Sequence, residues 1–156
     1  MTADLPRLRS IGIRDVKFGA NVTVVEPANL YGCMIGDDSF VGPFVEIQKD
    51  VVIGKRCRVQ SHSFICELVE IGDDTVVAHG VMFINDLFGN GGPARGDRSL
   101  WKRTKVGSNV SIGSNATILP VVICDRCVVG AGAVVTRNLD VAGIYAGNPA
   151  RLIRKL

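Results

Sequence analysis

The sequence predicts an all-β protein wound as a parallel β-helix, and two observations carry that prediction. The first is a period. From Ile35 to Phe83 an aliphatic or aromatic residue returns at every sixth position: Ile35, Val41, Ile47, Ile53, Val59, Ile65, Ile71, Val77 and Phe83. Four places after each of the first eight stands a small or β-branched residue: Ser39, Val45, Val51, Cys57, Ser63, Val69, Thr75 and Val81. An amphipathic helix repeats at about 3.6 residues and a half-buried strand at about 2, so neither produces this spacing. Six residues make one short strand and one turn, and three such units close a triangular coil. The second observation is composition. Aromatics are 6% of 156 residues, glycines number 18, and Val and Ile abound. That describes a narrow aliphatic interior edged by tight turns.

Residues 1–15 hold Ile11 and Ile13 without a settled register and are expected to cap the first coil. Hexapeptides begin at Phe18 and continue at Val24 and Leu30, and a five-residue step then leads to Ile35. After Phe83 the pattern stops from Ile84 to Lys105, a stretch containing NDLFGNGGPARGDRSLWKR with the only Trp, Trp101. Long insertions in compact repeats are usually functional or disordered. The repeat resumes at Val106, Ile112 and Ile118, steps five residues to Ile123, and continues at Val129 and Val135. The companion small residues here are read as Val110, Ala116, Val122, Cys127, Ala133 and Leu139. The 18 hexapeptides amount to roughly six coils at three per coil. Gly143 to Pro149 breaks the pattern, and Ala150 to Leu156 is expected to form a short basic C-terminal helix over the last coil. A cover is needed there because an open end leaves strand edges unpaired. The expected organisation is one domain over 1–156, with the β-helix at about 16–140 and a cap at 141–156.

A net charge of +3 and a pI near 8.7 are too mild to argue for nucleic acid, although they suit a small anionic ligand. No apolar run approaches the ~20 residues that span a bilayer, and MTADLPRLRS has no apolar core of a signal peptide, so no membrane role is expected. Of five cysteines, Cys57 and Cys127 fall on the small inward position, where a thiol packs as a small hydrophobe. Cys124 and Cys127 form a lone CxxC without a second pair, which speaks against zinc, and no metal is expected. A reduced, cytoplasmic protein is the expectation. VGAGAV is a repeat unit without the strand-to-helix setting of a dinucleotide fingerprint. Phe40, Phe64, Val76, Met82, Val128 and Val134 fall on outward positions and make an apolar face that a closed ring of three copies would bury.

The pattern [LIV]-G-x-x-[STAVC]-x, as in IGDDSF, IGDDTV, VGSNVS and IGSNAT, resembles the hexapeptide-repeat acyltransferases. The stretch IGSNATILPVVICDRCVVGAGAVVTRNL, followed by AGNPARLIRKL, is similar to the C-terminal signature of that family's acetyl-CoA enzymes. The likeness covers the chain from about Phe18 to Leu156. It implies a left-handed parallel β-helix, an exception to right-handed crossovers. It also implies a homotrimer with active sites in clefts between neighbouring subunits, and acetyl-CoA as co-substrate. AHGVMFINDLF, followed by a loop and a Trp, resembles the sugar-nucleotide N-acetyltransferases, which acetylate an amino group on a nucleoside-diphosphate-linked hexose. Such enzymes often follow the Asn-Asp pair closely with Pro-Arg, whereas LFGNGGPAR intervenes here before Pro93 and Arg95.

His79 is the third residue of VAHGVM and points outward from the wall, six residues before Asn85. His62 is the fourth residue of VQSHSF, near a corner, and is read as structural. With 18 residues per coil, the column through His79 takes in Ser61 below and approximately Ser114 and Ala131 above. The column through Asn85 takes in Glu67 below and approximately Pro120 and Arg137 above. Small residues above His79 leave a groove open for pantetheine. Acyl transfer from a thioester needs a nucleophile freed of its proton and a partner for the charge growing on the thioester oxygen. Histidine is the natural base for such a proton, which makes His79 the candidate. Asn85 cannot be a base, but its amide can accept from an attacking amine or donate to the oxyanion. Asp86, Glu67 and Arg95 are the candidate acceptor contacts; Asp86 alternatively opens the loop as an Asx turn. For CoA the resemblance implies Gly130, Ala131, Gly132, Arg137, Asn148, Pro149 and Arg151, of which the basic residues suit phosphate on their own chemistry.

The reading that follows is an acetyl-CoA-dependent N-acetyltransferase acting on an amino sugar nucleotide. The alternative on the same fold is an O-acetyltransferase of the serine, maltose or galactoside type with His79 as general base. A γ-type carbonic anhydrase needs three histidine ligands where this chain has two histidines. A non-enzymatic solenoid leaves the 84–105 insertion without a purpose.

Overall fold

The computed structural model describes residues 6–156; residues 1–5 of the expected cap lie outside the described residues. The chain is all-β, built from short strands that stack in parallel into three faces of a solenoid. In chain order, face one carries rungs at Ile13, Leu30, Ile47, Ile65, Phe83, Ile118 and Val135. Face two carries Phe18, Ile35, Ile53, Ile71, Val106 and Ile123. Face three carries Val24, Val41, Val59, Val77, Ile112, Val129 and Tyr145. The period is therefore a vertical register: Ile35 pairs with Ile53, Val41 with Val59, and Ile47 with Ile65. A face of seven rungs makes about seven turns rather than six. The extra rung is Ile13–Arg14, which pairs with Leu30 and Tyr31, so the lead-in already holds the register.

Burial follows the alternation. From Leu30 to Tyr145 the inward rung residues form one buried apolar column, while the residue before each rung faces out. Backbone groups bond coil to coil, as in Gly36 N–H to the Ile53 carbonyl at 2.9 Å and Gly54 N–H to the Ile71 carbonyl at 2.8 Å. These glycines are obligatory: a Cβ on Gly36 would lie 2.7 Å from the Gly54 carbonyl above it. Buried hydroxyls also join coils. Ser39 Oγ donates to the Gly54 carbonyl and accepts from Cys57 N–H, and Thr75 Oγ1 does the same for Gly107 and Val110. Both hydroxyls are thereby satisfied, as interior packing demands.

Three assignments differ from expectation. Where the step shortens to five, the missing residue precedes the small inward position, so Cys33 and Val121 are buried there. Val122 is consequently an exposed strand residue, and Leu139, read as a companion small residue, is a buried rung bridged to Ile123. Gly143–Ala146 does not break the stack; it is the top rung of face three, with Tyr145 above Val129. Finally, the expected C-terminal helix is a strand, Arg151–Lys155, antiparallel to Gly143–Ala146. Seven residues are too few for a stable isolated helix, whereas the free edge of the top rung offers backbone partners. Gly143 admits the strand: a Cβ there would meet Leu152 Cδ1 at 2.6 Å and the Arg154 carbonyl at 2.7 Å.

The six outward apolar residues occupy two faces. Phe40, Val76 and Val128 lie on face three, whereas Phe64, Met82 and Val134 lie on face one, so they flank a shared edge. The Arg58 guanidinium covers the Phe40 ring at 4.9 Å. No helix among the described residues is long and apolar enough to cross a membrane.

Candidate active site

His79 stands on the edge where face three turns into face one. Its side chain is exposed, and Nδ1 lies 2.9 Å from Ser61 Oγ one coil below. Above it the column runs through Ser114 and Ala131, as the pairings of Val77 with Ile112 and Ile112 with Val129 require. Gly80 is next to it at a φ of +67°, and a Cβ there would strike Asn115 Oδ1. The column directly above the imidazole thus carries only small side chains, Ser114 and then Ala131 between Gly130 and Gly132. The Gly147–Ala150 turn closes over the same edge, because Val134 N–H donates to the Gly147 carbonyl and Ala150 N–H to the Val134 carbonyl. Asn148 and Pro149 in that turn, and Arg151 after it, are exposed. Six of the seven residues selected for CoA therefore gather at the top of one edge. Arg137 does not; it is exposed on the next edge round, above Asn85 and Pro120.

Asn85 lies on that second edge, between faces one and two, with the strand Met82–Phe83 separating it from His79. The two side chains selected for chemistry sit at opposite ends of one strand and do not meet within one chain. Asn85 Nδ2 donates to the Glu67 carbonyl at 3.3 Å. The chain of bonds continues downward, from Glu67 N–H to Gln48 Oε1 and from Gln48 Nε2 to Glu46 Oε1. Asn85 is thus fixed on a polar ladder three coils deep.

The insertion leaves the wall after Ile84 and returns where Lys102 N–H meets the Asn85 carbonyl and Thr104 N–H the Leu68 carbonyl. Asp86 organises it: Oδ1 accepts from Phe88 N–H at 2.9 Å and Oδ2 from Ala94 N–H at 2.7 Å. That is the Asx turn, extended to bind the far side of the loop. Asp86 also borders a cavity of about 260 Å3 with Leu87, Gly89, Leu100 and Lys102. Arg95 is exposed with a φ of +51°. His62 stacks on Phe44, with centroids 4.9 Å apart, one coil below.

Sequence reasoning missed Arg98 and Asp50. Arg98 Nη2 donates to Asp50 Oδ2 at 2.6 Å and lies 2.8 Å from Glu67 Oε2, a buried oxygen reached without hydrogen-bond alignment. The same guanidinium is 6.0 Å from the Trp101 ring. Asp50 and Arg98 are 48 residues apart, and no repeat pairs them, so only the folded loop brings them together. Arg98→Ala is expected to raise the rate of limited proteolysis within 86–103 several-fold while leaving the melting temperature nearly unchanged. Arg98 and Asp50 are both solvent-exposed, and such pairs add little to global stability.

Among the described residues no cluster of three or more His, Cys, Asp or Glu is placed to hold a metal. Residues 32–67 match the family described as bacterial transferase hexapeptide (six repeats), and residues 103–137 match the hexapeptide repeat of succinyl-transferase. The crystal structure of a mutant of AntD, an N-acyltransferase from Bacillus cereus, in complex with dTDP and coenzyme A, superposes with a TM-score of 0.79. It is 26% identical, with 92% of this chain and 85% of that one covered. The chain carries the hexapeptide repeats of the bacterial transferases over those two stretches. A second similar structure is the hexapeptide-repeat acetyltransferase of Vibrio cholerae in complex with acetyl-CoA, at 26% identity and a TM-score of 0.66 over 80% of this chain and 71% of that one. Among curated sequences, the bifunctional protein GlmU of Streptococcus uberis is 28% identical over 86% of this chain, and that of Baumannia cicadellinicola 34% over 77%. The chain spans only 30% and 24% of those two proteins.

Proposed function

We propose that the protein transfers the acetyl group of acetyl-CoA to the amino group of a nucleoside-diphosphate-linked amino-deoxy sugar, working as a homotrimer in the cytoplasm. The observation that carries this reading is the separation of His79 and Asn85 to the two ends of one strand. A site that uses both must take His79 from one copy and Asn85, with its loop, from the next. The apolar residues flanking the His79 edge supply the contact such a neighbour needs. The likeness to AntD, which was crystallised with dTDP and coenzyme A, supports the nucleotide and the thioester as ligands.

In that cleft the pantetheine arm runs down the small-residue edge from the Asn148–Pro149 turn past Gly132 and Ala131 toward His79. Arg151, and Arg137 of the adjoining copy, meet phosphates. The amine attacks the thioester carbonyl carbon, the oxyanion forms, and collapse breaks the C–S bond to release CoA as thiolate. Asn85 orients the amine or donates to the oxyanion. His79, held at Nδ1 by Ser61, presents Nε2 to take the proton that the new ammonium loses. Glu67, Asp86 and Arg95 border the space left for the sugar nucleotide. The same anchored imidazole suits an O-acetyltransferase, and a maltose O-acetyltransferase of Clostridium difficile is 25% identical at a TM-score of 0.57 over 90% of this chain and 69% of that one.

The test is release of free CoA from acetyl-CoA against a panel of dTDP- and UDP-linked amino sugars, with maltose, a galactoside and serine as hydroxyl acceptors. Turnover confined to one or more amino sugar nucleotides is the expected result. Turnover on a hydroxyl acceptor alone overturns it.

A further inference from the structure

The third edge, between faces two and three, takes no part in the chemistry above, yet near the top of the helix it holds two thiols side by side. Cys124 and Cys127 bracket the turn Asp125-Arg126, with Arg126 at a φ of +60°, and their sulfurs are 3.5 Å apart. A four-residue turn keeps its end Cα atoms within about 7 Å, and a disulfide spans about 4.4–6.8 Å between Cα atoms. The backbone is therefore already close enough for the sulfurs to bond.

The two thiols differ in ways that suit ordered exchange. Cys124 is half-buried and borders a groove of about 410 Å3 with Lys105, Gly107, Val122, Ile123 and Asp125. Cys127 is buried on the small inward position. Burial, then the hydrogen bond with Cys124, pushes the Cys127 thiol up to about 12. Cys127 Sγ donates to the Val141 carbonyl at 3.6 Å, and that carbonyl also accepts from the Tyr145 hydroxyl at 2.7 Å. Losing the Cys127 proton thus strands no acceptor. Cys33, Cys57 and Cys66 are buried, with burial pushing Cys33 up to about 11 and Cys66 up to about 12. Of the five thiols only Cys124 is not buried, so the first attack on an added disulfide falls to it.

We propose that Cys124 and Cys127 are a reversible intrachain disulfide site, oxidised by low-molecular-weight disulfides of the glutathione class. Cys124 thiolate attacks one sulfur of glutathione disulfide and releases one glutathione thiolate. Cys127 thiolate then attacks the Cys124 sulfur of the mixed disulfide and releases the second. The two cysteine protons end on two glutathiones, the protein gives up two electrons, and the disulfide reagent takes them. Attack falls to Cys124 because it is the accessible sulfur, and proximity drives the second step although Cys127 ionises poorly.

The test incubates the full-length protein with glutathione disulfide, quenches with an alkylating agent and reads mass. Trypsin cuts after Lys105, Arg126 and Arg137, so the expected product is peptide 106–126 joined to 127–137, the protein having lost two hydrogens and regaining them with dithiothreitol. Cys124→Ser is expected to abolish all modification, and Cys127→Ser to stop at a stable glutathione adduct on Cys124. A wild-type protein that stays fully reduced, keeps glutathione on Cys124, or links Cys124 only to a second chain overturns the proposal.

Discussion

Asn85→Ala is expected to lower kcat/KM for the amino sugar nucleotide by about 10²–10³, the range for loss of one donor to a developing oxyanion. His79→Ala is expected to cost about tenfold or less, because an amine with a free lone pair attacks before it loses its proton. A hydroxyl acceptor reverses the order: a missing base then costs about 10²–10⁴. Ser61→Ala isolates the orienting contact, since Ser61 Oγ is 2.9 Å from Nδ1. Its expected signature is a changed imidazole tautomer by 15N NMR with KM little altered. Mixing the variants tests the two-chain site. If His79→Ala and Asn85→Ala chains assemble at random into closed rings, about a quarter of interfaces pair an intact His79 with an intact Asn85. Activity of the co-expressed mixture then exceeds that of either parent trimer, provided His79→Ala alone costs more than about threefold, which the single variant measures first. A site within one chain instead leaves the mixture between the two parents.

Much of this geometry was legible in the sequence because a solenoid turns sequence separation into height. Counting by eighteen from His79 reaches Ser61, and the two are hydrogen-bonded. Counting by eighteen from Asn85 reaches Glu67, whose carbonyl Asn85 holds. Local period fixes which residues share a column, and backbone ladders between coils do the rest. What counting did not reveal is the edge on which each column stands. His79 and Asn85 are six residues apart, so they occupy equivalent phases of successive hexapeptides and hence different corners of the triangle. The register through the shortened corners was likewise hidden. Val121 and Val122 are the same residue type, and only packing decides that Val121 is buried and Val122 exposed. The C-terminal segment failed for another reason: RLIRK has no strong local preference, and the open edge of Gly143–Ala146 decided its form. Arg98 with Asp50 and Glu67 lay beyond any repeat, because charge pairing across an irregular loop has no period.

Phe83→Ala should be the most damaging change to stability away from the backbone glycines. Phe83 is the largest of the fully buried side chains, 1% exposed, on the rung above Ile65 and below Ile118. Truncation leaves a cavity at a place where both neighbours are held by their own ladders and cannot collapse into it. A loss of about 3–5 kcal/mol follows from comparable truncations. It should appear as a lower midpoint in urea with an unchanged slope. Phe83→Leu refills part of the space and should cost clearly less. The position makes the consequence specific. In a stacked array each coil is stabilised by its neighbours, and Phe83 lies in the coil that sends out the insertion and fixes Asn85 two residues later. Native-state hydrogen exchange in Phe83→Ala should therefore rise first at the amides of Met82, Ile84 and Lys102, which bond to Ala116, Ile118 and Asn85. Amides of the lowest coils, such as Gly19 on the Ile35 carbonyl, should stay at their wild-type rates. Uniform acceleration along the whole chain would mean that the solenoid opens as one unit, and that the insertion draws no particular support from the rung beneath it.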